Sequence, residues 1–263
     1  MKIRKTVSKI LALVVLFVFP LIAFANELGS PSWEIKLIPY FWMTDLSGTT
    51  DVQGEKSKVD QSFFDILKKI NMAFMLAVEA RKDKWGIFLN PMYTSMRDDA
   101  KVGNVAVTLR NRMLAFDFGG FYRLAEWQTI SDALQTNYLD LRFGGRYWHK
   151  HSAIDASVNN QGVFSTSMST TWIDPLVGLH YNVCLTSKWM LNLSGDVGGG
   201  GFSKTSDITF DAFAGFGYSI DKDKSLIFGY RALYVSRKDD VDGVDMYSHT
   251  TMHGPIVAFE LKF

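Results

Sequence analysis

Apolar and polar residues alternate along the last ten residues of the chain, 254–263. Pro255, Val257, Phe259, Leu261 and Phe263 fall on one side of an extended strand, and the residues between them fall on the other. A period of two is typical of a β-strand whose two faces meet different surroundings. The same alternation recurs upstream, so the pattern predicts an all-β protein.

The alternating stretches predict ten long strands, within a range of eight to twelve. The count becomes twelve if residues 56–60 and another segment are also strands of the wall. The ten strands cover residues 33–44, 72–81, 85–97, 104–124, 138–151, 170–184, 188–199, 207–220, 225–238 and 248–262. Short turns at one end alternate with longer polar loops, such as 152–170 and 239–247, at the other. This arrangement is typical of an antiparallel β-barrel in a bacterial outer membrane, with its short turns in the periplasm.

One segment does not fit a wall of ten strands. Because the chain should begin and end on the periplasmic side, the stretch between residues 44 and 72 must start and finish outside the cell. Residues 49–52 and 56–60 read as a short hairpin, and Ser62 can cap a following amphipathic helix. We expect an extracellular hairpin and a helix that folds over or into the barrel mouth.

The outward faces predict contact with lipid. Trp33, Trp85, Trp189 and Phe263 each lie next to a predicted periplasmic turn or chain end, where an aromatic girdle anchors a barrel at the headgroups. The alternative is a soluble β-sandwich with ordinary core aromatics.

The inward faces carry charges of both signs, which we expect to pair with one another because an unpaired buried charge is costly. Inward glycines such as Gly215 leave room for large neighbours such as Trp148, Trp172 and Phe213. A structural polar core and a selective solute path both remain open. The residues predicted to line the constriction are Arg142, Arg146, Asp174, Asp196, Asp211 and Arg231.

The first 25 residues read as a cleaved signal peptide, with residues 26–263 as the barrel domain. Four basic residues precede an apolar run that ends at Ala23-Phe24-Ala25; an uncleaved anchor is the alternative. The whole chain has 28 basic and 27 acidic residues. The signal peptide holds four of the basic residues and none of the acidic ones, so residues 26–263 are slightly acidic. This balance predicts no nucleic-acid partner. The single cysteine, Cys184, forms no intramolecular disulfide.

Two groups of residues offer the chemistry of an active site. His149, His151 and Ser152 could serve nucleophilic catalysis or bind metal, and Asp98-Asp99 with His249 or His253 could form a protease centre. No acidic residue is placed to orient the first group, and the second reads equally as a solvated rim. We therefore predict no enzyme, no catalytic residue, no metal and no cofactor.

Several segments resemble a group of small, porin-like outer-membrane barrel proteins of Gram-negative bacteria. They are 62–67, 85–88, 144–148, 172–178, 195–199 and 252–255. The group has no assigned activity, so the resemblance implies the architecture and carries over no catalytic residue. The expected partners are outer-membrane lipid and lipopolysaccharide, the barrel-assembly machinery acting on the C-terminal strand, and a small solute.

The sequence leaves three functions open. The first is a narrow channel or a barrel that binds a small ligand. The second is a barrel with a closed lumen that presents residues 152–170 and 239–247 to a surface partner. A lipid- or peptide-modifying enzyme is a distant third.

Overall fold

The computed structural model describes residues 33–52, 54–158, 161–202, 205–241 and 244–263. The predicted signal peptide lies outside these residues. The described part of the chain contains one short helix and twelve antiparallel strands. The helix is α1 (Phe63–Lys69), and the strands are β1 (Trp33–Trp42), β2 (Asp45–Val52), β3 (Glu55–Gln61), β4 (Ile70–Lys82), β5 (Trp85–Val102), β6 (Val105–Trp127), β7 (Asn137–Val158), β8 (Gln161–Cys184), β9 (Trp189–Gly199), β10 (Ile208–Ser219), β11 (Lys224–Val241) and β12 (Val244–Lys262).

Among the described residues, ten strands close into a barrel in the order β1, β4 to β12. The closing pair is β1 with β12, in a register that sets Lys36 opposite Lys262 and Trp42 opposite Ile256. The predicted fold class and the count of ten are confirmed. We call the end with the short turns and Phe263 the periplasmic end.

No helix in the described ranges is long and apolar enough to cross a membrane.

The predicted hairpin is present as β2 and β3. The periplasmic half of β12 pairs with β1. Its extracellular half pairs with β2, from His253 opposite Asp45 to Met246 opposite Val52. β2 therefore continues the line of β1 along β12, and β3 extends from its free edge.

Helix α1 bridges the gap between β3 and β4, which do not pair with each other. Ser62 caps it, as predicted. Its position differs from the prediction: Phe63 packs edge-on against Phe41, an outward side chain of β1, at 6.0 Å between ring centroids. The helix thus lies against the wall rather than over or in the mouth, because it must return the chain to the top of β4.

Gly254 lies where β12 passes from β1 to β2. Its φ is 157°, and a Cβ added there would lie 1.9 Å from the carbonyl oxygen of Met43. The Met43 N–H donates to the carbonyl of Pro255 at 2.9 Å, so this close backbone approach joins the two strands to one partner.

Replacing Gly254 with alanine should therefore lower the free energy of unfolding by about 1–3 kcal/mol, the usual cost of an added methyl that forces the backbone apart. Urea titration of the folded barrel in detergent micelles measures it. Gly162→Ala is the matched control, since no atom lies within 4 Å of a Cβ there. Equal destabilisation by both variants would contradict the assignment.

The alternation of faces places the four girdle residues on the outer wall at the periplasmic end. Trp33, Trp85, Trp189 and Phe263 are exposed by between 42% and 60%. Trp85 packs against Tyr122 and Trp189 against Tyr218, with ring centroids 4.7 and 5.1 Å apart. Two tyrosines thus extend the band of aromatic rings.

The prediction of extracellular loops at residues 152–170 and 239–247 is wrong. β7 and β8 remain paired out to Val158 and Gln161, and β11 and β12 to Val241 and Val244. These two segments are rich in serine, threonine and aspartate, a composition that is typical of loops. However, backbone pairing in water does not require apolar side chains, and β-branched threonine favours a strand. The barrel therefore carries tall hairpins on its extracellular side.

Candidate functional site

A charged cluster fills the lumen at mid-height. It consists of Asp117, Arg146, Asp196, Asp211 and Arg231. Arg146, which is 0% exposed, donates from Nε to Asp117 at 2.6 Å and from Nη2 to Asp196 at 3.1 Å and Asp211 at 3.2 Å. Arg231 Nη2 binds Asp211 at 2.6 Å. The expected pairing of inward charges is confirmed for these residues.

An apolar layer covers the extracellular side of the charged cluster. Inward residues recur every second position, so Trp148 stands two residues beyond Arg146, Leu233 two beyond Arg231, and Ala115 two beyond Asp117. The buried members of this apolar layer are Trp42, Met92, Ala115, Trp148, Trp172, Leu233, Val235, Met252 and Ile256.

Asp174 holds the two central indoles of the apolar layer. Its carboxylate accepts hydrogen bonds from Nε1 of Trp148 at 3.0 Å and of Trp172 at 3.1 Å, whose rings stack 5.5 Å apart. The backbone N–H and the hydroxyl of Ser206 also donate to it, at 2.6 and 2.8 Å. Asp174 was predicted to line the constriction together with the arginines of the lumen. It lies in the apolar layer instead.

The inward glycines have the predicted role for Phe213. A Cβ on Gly215 or Gly229 would come within 2.6 or 2.5 Å of the Phe213 ring. The Phe213 ring therefore packs directly on the backbone of two glycines, and a larger residue at either position would displace the ring into the lumen.

A lumen cavity of about 190 Å³ lies on the periplasmic side of the apolar layer. Four of the six predicted constriction residues, Arg142, Asp196, Asp211 and Arg231, line it, together with aromatic and aliphatic side chains. Arg142 pairs with Glu79 and donates to Nδ1 of His180 at 2.8 Å.

Three residues that line the cavity, Arg142, Asn192 and Asp196, each hold a buried polar atom that has no hydrogen-bond partner among the described residues: Nε, Nδ2 and Oδ1, respectively. Buried polar groups are nearly always satisfied, so each of these atoms is available to a water or to another small molecule that reaches it. Two are donors and one is an acceptor. The cavity therefore offers an incomplete hydrogen-bonding site.

A periplasmic loop, residues 128–136, crosses the other end of the lumen. The N–H of Leu134 donates to Ser187 at 3.0 Å, and the Gln135 amide donates to Lys222 at 3.2 Å. Lys222 lies in the β10–β11 turn, four strands around the barrel from the β6–β7 connection that carries the loop. Asn182 and Cys184 donate to Thr136 and Gln135 and hold the loop from β8.

The two candidate active sites are not assembled. His149 and His151 lie on the outer wall, where each bonds a hydroxyl of β8, Thr171 or Ser169. Asp98 pairs with Lys69 at 2.8 Å. His249 and His253 are hydrogen-bonded to Tyr234 and Tyr230, and their strand β12 is separated from β5 by β1 and β4.

In the described ranges no group of three or more histidine, cysteine or acidic side chains is arranged to hold a metal ion.

No protein-family model matches the chain, and no curated protein does. Among solved structures, the outer membrane protease OmpT from Escherichia coli is similar with a TM-score of 0.56 and 11% identity, over 89% of this chain and 98% of that one. The chain has the fold of an outer-membrane β-barrel. The transport unit of the autotransporter AIDA-I from Escherichia coli is similar at a TM-score of 0.44 and 9% identity, over 89% of this chain and 91% of that one.

This fold agrees with the apolar outer wall and its aromatic ends, which are typical of a barrel that crosses a membrane. At 11% identity the likeness to the protease extends to the architecture alone.

Sequence reasoning missed two parts of the lumen. Arg123, on the same face of β6 as Asp117, forms a buried pair with Asp140 at 2.8 Å. The alternation of β6 could have revealed it. The crossing of the periplasmic loop left no such signal, because nothing in residues 128–136 indicates which distant turn they reach.

Proposed function

We propose that this barrel binds a small polar molecule in the lumen cavity, is not an enzyme, and keeps its lumen closed to free diffusion. The observation that carries the proposal is a cavity of about 190 Å³ whose lining includes three residues, Arg142, Asn192 and Asp196, that each hold a buried polar atom without a partner among the described residues. Closure is supported by the apolar layer on one side of the cavity and the periplasmic loop on the other.

The free atoms point to the chemistry of the ligand. Arg142 Nε and Asn192 Nδ2 suit a carboxylate or hydroxyl oxygen, whereas Asp196 Oδ1 suits an amino or hydroxyl donor. The rings of Phe88, Tyr138 and Phe213 provide an apolar surface beside them. Since about 30 Å³ per water would allow roughly six waters in this space, the site fits a molecule of the size of an amino acid or a monosaccharide.

The charged cluster adds a preference for an amino group. It sets three carboxylates, Asp117, Asp196 and Asp211, against two guanidinium groups. Asp196 is the member of this cluster that lines the cavity and has a second carboxylate oxygen without a hydrogen-bond partner among the described residues. A ligand ammonium there would gain a charge-assisted hydrogen bond.

Amino acids, amino sugars and neutral monosaccharides, tested singly at millimolar concentration, should include members that raise the melting temperature of the folded barrel. Asn192→Leu should weaken that binding about tenfold, because one lost hydrogen bond with a stranded partner costs about 1.4 kcal/mol. Asn111→Leu, the same change at an exposed position, is the control. Tryptophan fluorescence provides a second measure of binding.

The purified barrel in planar bilayers should give a flat current trace. Discrete conductance steps from the folded wild type would contradict closure. If no member of the panel binds, or Asn192→Leu binds like the wild type, the ligand proposal is wrong.

If the current trace is flat and no member of the panel binds, the results would favour a closed barrel that meets a surface partner. The observation behind that second candidate is the inner face of the tall β6–β8 strands, where Leu109, Ile154 and Met168 are exposed by 38%, 38% and 44%. Apolar side chains exposed above a barrel mouth are typical of a surface that meets a partner.

A further inference from the structure

The outer wall of β5–β8 changes from apolar to basic at one level. One row across these strands reads Pro91, Phe116, Tyr147 and Ile173. Two rows further out, the paired residues are Ser95, Arg112, His151 and Ser169, and the next row begins with Arg97 and Arg110. This basic patch consists of Arg97, Arg110, Arg112, His149 and His151.

The basic patch lies at the level of the outer headgroups. Ten residues of β5 separate Trp85, at the periplasmic rim, from Ser95. At about 3.3 Å per residue and a tilt of about 40°, they rise by about 25 Å, which is the height of the apolar band of such barrels. The same spacing separates Tyr122 from Arg112 on β6.

A shallow groove of about 200 Å³ runs along the outer wall within this patch. Arg110, Arg112, His151 and Ser167 contribute to its lining. Arg110 is paired with Asp155. Arg112 is exposed, and within the described part of the chain it makes no ion pair or hydrogen bond. The groove therefore holds an available guanidinium beside an imidazole and hydroxyl groups, and its one carboxylate, Asp155, is paired with Arg110.

Solvated basic residues often end the apolar part of a strand, and salt bridges account for Arg97 and Arg110. They do not account for Arg112, which faces the bilayer rather than open water. Guanidinium groups bind phosphate oxygens through paired hydrogen bonds, and clustered basic residues at a membrane surface attract anionic headgroups. In an outer membrane, the headgroups at this level belong to a phosphorylated glycolipid.

We propose that Arg110, Arg112 and His151 form a binding site on the outer wall for the phosphate groups of an outer-leaflet glycolipid. The site is independent of the lumen cavity, from which the wall of the barrel separates it. Its position on β5–β8 follows from the tall strands there, whereas β9 and β10 end at Gly199 and Ile208 on this side. The bound lipid would fill the groove and fix the barrel at one depth and orientation.

Native mass spectrometry of the folded barrel in detergent, titrated with bisphosphorylated lipid A, tests the site. Arg112→Gln should weaken binding of the lipid about tenfold, and it breaks no internal ion pair. Arg112→Lys should restore part of the affinity, since lysine keeps the positive charge but cannot donate the paired hydrogen bonds of a guanidinium group. Lys238→Gln, a change of an exposed cation on β11, is the matched control and should bind like the wild type.

Two further arms identify the source of the phosphate. Lipid A stripped of its phosphates should bind at least about tenfold more weakly than the intact lipid, and added salt should weaken the intact lipid. Equal binding of the stripped lipid, or equal loss in Arg112→Gln and Lys238→Gln, would overturn the proposal. So would inorganic pyrophosphate that binds as tightly as lipid A, because the site would then serve a soluble anion. A difference in gel migration between unheated and heated samples confirms that each variant is folded.

Discussion

Replacement of Arg146 with alanine should lower the free energy of unfolding by about 3–5 kcal/mol, the cost of leaving a buried charge without its partner. Arg146 is 0% exposed and hydrogen-bonds three carboxylates of the charged cluster. Without it, Arg231 alone faces Asp117, Asp196 and Asp211. The measurement is urea unfolding of the barrel in detergent micelles, followed by tryptophan fluorescence.

Two companion variants separate this effect from a general loss of packing. Adding Asp196→Asn to Arg146→Ala removes one stranded carboxylate and should recover part of the stability, which a double-mutant cycle detects. Arg97→Ala breaks an exposed pair with Asp99 and should change little, since solvent screens surface ion pairs. An Arg146→Ala variant as stable as Arg97→Ala would refute the central role of this residue.

Asp174→Ala should have the second large effect, a destabilisation of about 3 kcal/mol or more. It would leave the indole N–H of Trp148 without an acceptor and remove one from Trp172 and from the N–H of Ser206, and each stranded buried donor costs about 1–3 kcal/mol. The stacked indoles should then loosen. Red-shifted tryptophan emission and greater quenching by acrylamide report the loss.

Asp174→Asn is the matched variant, because its amide oxygen in the Oδ2 position can still accept from both indoles, while the amide nitrogen in the Oδ1 position would face the N–H of Ser206. Its effect should lie between those of the wild type and Asp174→Ala. If Asp174→Ala keeps the wild-type emission and stability, the carboxylate does not organise the apolar layer.

Much of the architecture follows from local alternation. Once Phe263 faces lipid, a period of two directs Glu260 and Lys262 into the lumen, and the same count sets the direction of every strand. Inward Arg142, Arg146, Asp196, Asp211 and Arg231 could be selected this way, because the face of a residue depends only on its place in its own strand. The outer parts of the β7–β8 and β11–β12 hairpins were missed because their serine-, threonine- and aspartate-rich sequences resemble loops.

The sequence by itself thus determined the barrel, its ten strands and which side chains meet lipid or lumen, since these depend on periodicity along the chain. Only the tertiary structure decided how the lumen is filled. The height at which Arg146 meets Asp211, the stacking of Trp148 on Trp172 and the reach of Gln135 to Lys222 all depend on strand stagger and closure. Those distances between strands, which no single strand encodes, create the lumen cavity and leave its three polar atoms free.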